Sequence, residues 1–161
     1  MSFHLSSQNW QTFSLRELVD EVCRPLALRF EEQAIRTDID IPSNLMVTAD
    51  RELLRRAVRN LMLNSLDAMS EGGLLTATSA TGPHGVELEI ADTGASLSDE
   101  QRQQAFEMLP TAQRGGTGWG LAVVQRIAEV HGGRVTAANC PEGGVAITLW
   151  IPHAAALEAA A

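Results

Sequence analysis

A glycine-rich loop that runs directly into a helical pattern constrains this chain most. Residues 115–120 contain four glycines, and the apolar spacing of a helix begins at Leu121. Such a loop presents free backbone N–H groups at the positive end of a helix dipole, which suits an anion such as phosphate. The loop alone does not decide between a phosphate site and a turn whose glycines serve only close packing.

The basic residues of the chain are all arginine, because its 12 Lys and Arg positions contain no lysine. This excludes a Walker A loop and the protein-kinase fold, since both place a lysine on the phosphates. Any phosphate site must therefore use backbone N–H groups, arginine or a metal ion. The net charge of −8 argues against non-specific binding to nucleic acid or to an anionic membrane surface.

Length and cysteine content indicate a single domain in a reducing compartment. The 161 residues can bury a full core, and Cys23 and Cys140 have the spacing of neither a metal site nor a disulfide framework. No apolar run approaches the ~18 residues of a membrane span, and no signal peptide is recognisable. We expect a cytoplasmic chain without direct membrane contact: a linker over 1–13, the domain over 14–153, and a vector-derived tail over 154–161.

Helical and strand patterns follow one another along the domain without an internal repeat. Helices are predicted from Ser14 with a kink at Pro25, from Asp50 through Met69, from Ser98, and up to about His131. Strands are predicted over residues 35–41, 74–80, 86–92, 134–139 and 145–151. This order predicts an α+β fold, a two-layer α/β sandwich whose mixed sheet is covered on one face by about three helices.

Polar residues follow one face of the second predicted helix. Asn60 and Asn64 stand one turn apart, with Asp67 three residues further on. Their neighbours Ala57 and Leu61 belong to the apolar face, so the polar stripe lies at its border, where a cleft could open. An amide oxygen is a hard ligand suited to Mg²⁺, which also borrows phosphate oxygens. The same pattern equally fits solvated side chains on a helix surface.

Asp92 ends a predicted strand on the same side as the apolar residues Val86, Leu88 and Ile90. Its carboxylate therefore points toward the core, where a charged group needs a partner. At the mouth of an apolar pocket it could accept a hydrogen bond from an exocyclic amine such as that of adenine. Alternatively, it caps the turn at residues 93–95.

Taken together, four segments in this order resemble the N, G1, F and G2 boxes of the ATP-binding domain of sensor histidine kinases. The segments are residues 60–64, 92–94, 106–107 and 116–121. That domain belongs to the GHKL ATPase superfamily, also called the Bergerat fold, and the resemblance spans about residues 14–152. Residues 64–69 and 131–133 resemble the nitrogen-regulation branch of these kinases.

The resemblance implies a role for each segment. Asn64 would coordinate a Mg²⁺ ion that bridges the ATP phosphates, and Asn60 would line the same site near the γ-phosphate. Asp92 would bind the adenine amino group, and residues 96–115 would form a lid. The expected catalytic residues are Asn60 and Asn64, with Asn64 as the metal ligand. The expected ATP-binding residues are Asn64, Asp67, Asp92, Gly94, Arg114, Gly116, Thr117, Gly118, Trp119, Gly120 and Leu121.

Departures from the family pattern fall in and around the lid. Ser96 stands where the second G1 glycine is expected, Gln113 where a basic residue is expected, and Trp119 where an aliphatic residue is usual. These changes leave open an alternative, a degenerate module that serves as a nucleotide-sensing or protein-interaction platform without kinase activity. Hydrolytic GHKL ATPases are disfavoured, because they carry a glutamate base where this chain has Asn60.

None of the four histidines is a good phosphoacceptor, and His131 is expected to cap a helix end. The resemblance therefore implies that the acceptor histidine lies on a separate helical dimerisation domain of the same protein. A cognate response regulator would receive the phosphoryl group downstream. We expect the isolated fragment to be monomeric.

Overall fold

The computed structural model describes residues 9–106 and 120–153. Its elements are β1 (Trp10–Ser14), α1 (Leu15–Cys23), a 3₁₀ turn (Arg24–Leu26), α2 (Ala27–Glu32), β2 (Ile35–Asp40), β3 (Met46–Asp50), α3 (Arg51–Ala68), β4 (Gly73–Thr81), β5 (Gly85–Asp92), α4 (Asp99–Ala105), α5 (Gly120–Val130), β6 (Arg134–Asn139) and β7 (Val145–Pro152).

Side-chain caps begin the helices where the sequence places them. The Asp50 carboxylate accepts a hydrogen bond from the Leu53 N–H at 3.2 Å, which starts α3. Ser98 and Gln101 form a reciprocal capping box at α4. Pro25 interrupts the first helical pattern, so that a 3₁₀ turn separates α1 from α2, as the predicted kink requires.

The main sheet has the strand order β2-β4-β5-β7-β6. Strands β2 and β4 run parallel, whereas the other neighbouring pairs run antiparallel, so the sheet is mixed as predicted. Alternate residues of β5 and β7 are buried, and α3 contacts β5 while α5 contacts β7. One face of the sheet therefore carries the core beneath the helices.

A small second sheet was not predicted. β1 and β3 pair antiparallel, with Trp10 opposite Asp50. The expected linker boundary at residue 14 therefore differs from the structure, in which Trp10–Ser14 is a strand and Phe13 is buried. The apolar residues Trp10 and Phe13 do not alternate with period two, so the local pattern carries no strand signal. The expected tail over 154–161 lies outside the described residues.

His131 joins the end of α5 to the start of α3. Its side chain is fully buried, with Nδ1 2.7 Å from the Ile127 carbonyl oxygen, and Nε2 accepts a hydrogen bond from the Asp50 N–H at 3.0 Å. Because Asp50 N–H can only donate, the proton of the neutral ring lies on Nδ1. The bond to the Ile127 carbonyl confirms the expected capping of the helix end, and the bond from Asp50 adds a core contact to α3. Trp10 packs edge-on against the ring at 5.1 Å.

Candidate functional site

Asp92 lies buried where β5 ends, with its carboxylate directed at α3. It is only 6% exposed, because the alternation of β5 points it to the same side as Val86, Leu88 and Ile90. One carboxylate oxygen accepts a hydrogen bond from the Ser65 hydroxyl at 3.3 Å. The other accepts one from the Gly94 N–H at 2.9 Å. The predicted inward orientation of Asp92 is therefore confirmed.

The surroundings of Asp92 shift its pKa. Burial raises the pKa of the carboxyl, and hydrogen bonds from the backbone of Gly94 and Val145 and from Ser65 only partly oppose this. Loss of water is thus the dominant influence on this group. A carboxyl with a pKa perturbed by desolvation, placed at a strand end beside a polar helix face, is typical of a functional site.

The turn after β5 lies directly on the last turn of α3. The Ala95 N–H donates to the Ala68 carbonyl oxygen at 3.4 Å. A Cβ at position 94 would collide with that same Ala68 carbonyl, so the close approach requires glycine. Gly94 therefore fixes the distance between the strand end and the helix.

Asn64 and Asn60 are both half-buried on α3. Asn64 immediately precedes Ser65, whose hydroxyl bonds Asp92, and Asn60 lies one turn, about 6 Å, toward the start of the helix. The structure therefore brings the predicted metal ligand close to the predicted adenine-binding acid. The border position predicted for the asparagines is what makes them partly accessible.

Asp67 forms an ion pair with α2. Its carboxylate is 3.5 Å from the Arg29 guanidinium of α2. The neighbouring residue Gln33 donates to the carbonyl oxygens of Leu66 and Met69 at the end of the same helix. These contacts attach α2 to the C-terminal end of α3, and the expected role of Asp67 in ATP binding stays a prediction.

Ser96 has a structural partner at the position where the family pattern expects glycine. Its hydroxyl accepts a hydrogen bond from the Gly144 N–H at 3.2 Å. Gly144 has a φ of +95°, and a Cβ there would meet the Asp92 carbonyl. The turn between β6 and β7 is therefore fastened to the segment that follows Asp92.

Asn139 is a second contact that sequence reasoning missed. Its side-chain amide accepts from the Leu97 N–H at 2.9 Å and donates to the Leu97 carbonyl oxygen at 2.7 Å. It thereby fixes the backbone just before α4. Nothing in the local sequence marks Asn139, since its partner lies 42 residues away.

Part of the predicted phosphate loop lies outside the described residues, namely Arg114, Gly116, Thr117, Gly118 and Trp119. Gly120 begins α5, and Leu121 is buried. The predicted helix is therefore present from residue 120 onward. The roles assigned to these residues stay predictions.

The described part of the chain contains no group of three or more His, Cys, Asp or Glu side chains arranged to hold a metal ion. The metal ligand that the resemblance implies is the amide oxygen of Asn64, with phosphate oxygens and water as the other ligands, and this role stays a prediction. This donor set fits Mg²⁺, which is commonly held by few protein ligands and by the substrate's phosphates. Within residues 9–106 and 120–153, no helix has the length and apolar character needed to cross a bilayer.

Relatives of the chain include sensor histidine kinases. The BaeS signal transduction histidine-protein kinase of Escherichia coli K12 is 35% identical over 130 residues, covering 77% of this chain and 28% of that protein. The ZraS sensor histidine kinase of Escherichia coli O157:H7 is 32% identical over 133 residues, covering 83% of this chain and 27% of that protein. The chain spans about a quarter of the length of these curated relatives.

A solved structure and a family model extend the comparison. The nucleotide-free catalytic domain of the histidine kinase ThkA superposes with a TM-score of 0.81 at 27% identity, covering 89% of this chain and 97% of that one. The family model described as "Histidine kinase-, DNA gyrase B-, and HSP90-like ATPase" matches residues 49–155. The alternative of a degenerate module without kinase activity finds no support among these relatives, and the nitrogen-regulation branch stays a prediction. This chain belongs to the histidine kinase-, DNA gyrase B- and HSP90-like ATPase family, whose members bind ATP, and has the fold of a histidine kinase catalytic domain.

Proposed function

We propose that this chain binds ATP together with Mg²⁺ and donates the γ-phosphoryl group to a histidine on a separate helical domain of the same protein. The observation that carries the proposal is the buried Asp92 at the end of β5, held against α3 next to Asn64. The family membership supports it, because the relatives described above are sensor histidine kinases.

Asp92 is suited to recognise the adenine amino group. A carboxylate can accept about four hydrogen bonds, and groups of Ser65, Gly94 and Val145 use three of those positions. One position is left for a donor from a ligand. Because burial has already removed water from this carboxyl, a ligand amine would restore a hydrogen bond that the solvent does not supply.

The phosphates would lie along α3 toward its N-terminal end. Asn64 would hold the metal ion, which supplies neutralisation of the phosphate charge, and Asn60 would lie near the γ-phosphate. The start of α5 at Gly120 offers backbone N–H groups and a favourable helix dipole. Phosphoryl transfer depends mainly on positioning and charge neutralisation, so a site without lysine can serve it.

In the transfer step the lone pair of an unprotonated imidazole nitrogen attacks the γ-phosphorus. A phosphorus–nitrogen bond forms, the bond to the β,γ-bridging oxygen breaks, and ADP leaves with that oxygen. Asn60 cannot take a proton from water, because an amide is not a base at neutral pH. The site therefore favours transfer to a docked histidine over hydrolysis.

We propose a cognate response regulator as the downstream partner and a cytoplasmic location for the domain. The partner is supported by a solved complex of the histidine kinase ThkA with the response regulator protein TrrA. The matched ThkA chain in that complex is 25% identical to this one. We further propose that the isolated chain is monomeric, and that it contacts neither nucleic acid nor a membrane directly. Its net charge of −8 supports the last two points.

Titration calorimetry with Mg-ATP tests the nucleotide site. We expect binding in the micromolar to millimolar range. We expect Asn64→Ala to abolish it and Asp92→Asn to weaken it about a hundredfold. Asp38→Asn, an exposed carboxyl on β2, is the matched control and should bind normally. A chain that is folded but gives no heat with Mg-ATP would contradict the proposal, as would wild-type affinity in both site variants.

A further inference from the structure

Arginines are concentrated on the N-terminal half of α3. Residues 51–59 contain four arginines and one glutamate, a net charge of +3 within a chain whose total is −8. Arg51 has a structural role, since it pairs with Glu21 and lies over the Phe13 ring at 5.6 Å. The arginines at 55, 56 and 59 lie further along the helix.

These three arginines form a surface feature that we call the arginine groove. Arg55, Arg56 and Arg59, with Glu52 and Leu53, line a groove of about 440 Å³. Arg55 pairs with Glu52 at 3.3 Å. Arg56 and Arg59 are both exposed, and within the described residues Arg59 takes part in no ion pair. The groove therefore presents positive charge to the solvent.

The arginine groove adjoins the part of α3 where the γ-phosphate is proposed to lie. Arg56 precedes Asn60 by one helical turn on the same face, a rise of about 6 Å, and Arg59 is its direct neighbour in sequence. Whatever delivers the acceptor histidine to a phosphate at Asn60 must lie over this half of the helix. This step rests on the proposed function.

A second groove offers no such attraction. It has a volume of about 620 Å³ and lies between α1, α2 and the edge strand β2. Its charged lining residues are Asp20, Arg24 and Glu31, so acidic groups outnumber basic ones. A partner rich in carboxylates would be repelled there and over most of this acidic chain, but attracted at the arginine groove.

We propose that the arginine groove is the docking surface for an acidic stretch of the histidine-bearing domain. Guanidinium groups bind carboxylates through paired hydrogen bonds, which gives both attraction and orientation. Because the groove is solvent-exposed, its contribution is to the formation of the complex and is weakened by salt. The groove thus directs the acceptor histidine toward the phosphate end of the nucleotide site.

Charge reversal tests this surface in transfer assays with Mg-ATP and the histidine-bearing domain of the parent kinase supplied in trans. In Arg56→Glu/Arg59→Glu we expect the KM for the acceptor domain to rise about tenfold or more, with kcat within about twofold. The wild-type KM should rise with salt, and that of the variant should depend on salt far less. The control Arg24→Glu/Arg36→Glu carries the same charge change and should behave as the wild type.

Two further measurements separate this inference from the proposed function. Calorimetry should give the same Mg-ATP affinity for the charge-reversed variant and the wild type. Direct titration with the labelled histidine-bearing domain should show its binding weakened about tenfold in the variant. Unchanged KM and unchanged acceptor binding, alongside normal transfer, would overturn the docking surface alone. An equal loss in the Arg24 and Arg36 control would also overturn it. A different result would be a wild type that transfers no phosphoryl group but still binds the acceptor domain in a salt-sensitive way that the variant loses. That result would overturn the proposed function and leave the docking surface in place.

Discussion

Each end of α3 contacts a buried polar side chain, but the two side chains have opposite effects on the stability of the fold. At the N-terminal end, His131 is fully buried, with one ring nitrogen bonded to the Ile127 carbonyl of α5 and the other accepting a hydrogen bond from the Asp50 N–H. At the C-terminal end, Asp92 is almost as deeply buried, yet desolvation raises the pKa of its carboxyl in spite of its hydrogen bonds.

This difference separates a structural polar group from the one that we propose binds the ligand. A neutral group whose donors and acceptors are all paired costs little to bury and fixes the relative positions of two helices. An acid whose ionised form is disfavoured lowers the stability of the fold at neutral pH. Under the proposed function, the cost of this acid is offset because its charged oxygen accepts a hydrogen bond from the ligand.

Removing the imidazole should give the largest loss of stability. His131→Ala leaves the Asp50 N–H without its partner and opens a cavity between α3 and α5, so the free energy of unfolding should fall by about 3 kcal/mol. Urea unfolding measures this, with His84→Ala in an exposed turn as the control. In His131→Gln the amide oxygen can accept from Asp50, so part of the loss should be recovered. Unfolding of His131→Ala at the wild-type urea concentration would contradict the role assigned to the ring.

Asp92→Asn should separate stability from binding. Affinity for Mg-ATP should fall about a hundredfold, while the variant should be at least as stable as the wild type at pH 7. The folded-state pKa of Asp92 is raised, so the stabilisation by its protonated form is complete below its unfolded pKa of about 3.9 and is lost as the pH rises through the folded-state value. The wild type should therefore lose stability relative to Asp92→Asn between about pH 4 and neutral pH. Melting temperatures measure this: the difference between Asp92→Asn and the wild type should widen as the pH rises across this range. A difference that narrows would contradict the account.

Gly94→Ala should damage the same end of α3 through the backbone. The added Cβ meets the Ala68 carbonyl, so the strand end must move away from the helix, at a cost of about 2 kcal/mol. Nucleotide affinity should fall as well, because the Gly94 N–H then no longer orients Asp92. Gly82→Ala, which is in an open turn, is the matched control in denaturant unfolding and calorimetry. Equal stability of the two variants would show that the turn and the helix are not closely packed.

Ser96→Gly should have the smallest effect. It restores the glycine of the family pattern but removes the hydrogen bond from the Gly144 N–H, so the stability should fall by about 1 kcal/mol. Ser96→Ala removes the same hydroxyl without adding backbone freedom and should lose slightly less. A gain in stability for both variants in thermal unfolding would mean that this hydroxyl has no structural role.

Local signals in the sequence account for most of the main fold. The helix starts at Asp50 and Ser98 and the break at Pro25 all depend on neighbours within a few residues, and each is found as predicted. The pairing of β1 with β3 was missed because it joins segments about 36 residues apart. His131 was expected to cap a helix end, and its Nδ1 does bond the Ile127 carbonyl of that helix. Its second contact, with the Asp50 N–H, spans 81 residues and has no local signal.

In the candidate site, too, some features follow from local sequence patterns and others depend on tertiary packing. The inward direction of Asp92 follows from the period of one strand, and the shared face of Asn60 and Asn64 follows from the period of one helix. By contrast, Ser65 lies on the buried side of α3, and its contact with Asp92 spans 27 residues. The contact of Asn139 with the segment before α4 likewise depends on tertiary packing, so no pattern in the chain could have indicated it.

The central claim, that Asp92 accepts a hydrogen bond from the adenine amine, is tested most directly by a four-way binding comparison. Mg-ATP and the Mg²⁺ complex of purine riboside triphosphate, which lacks the exocyclic amine, are titrated into the wild type and Asp92→Asn. The account predicts that the wild type binds ATP about tenfold or more tightly than the analogue, and that Asp92→Asn binds both equally weakly. The same preference for ATP in both proteins would contradict it.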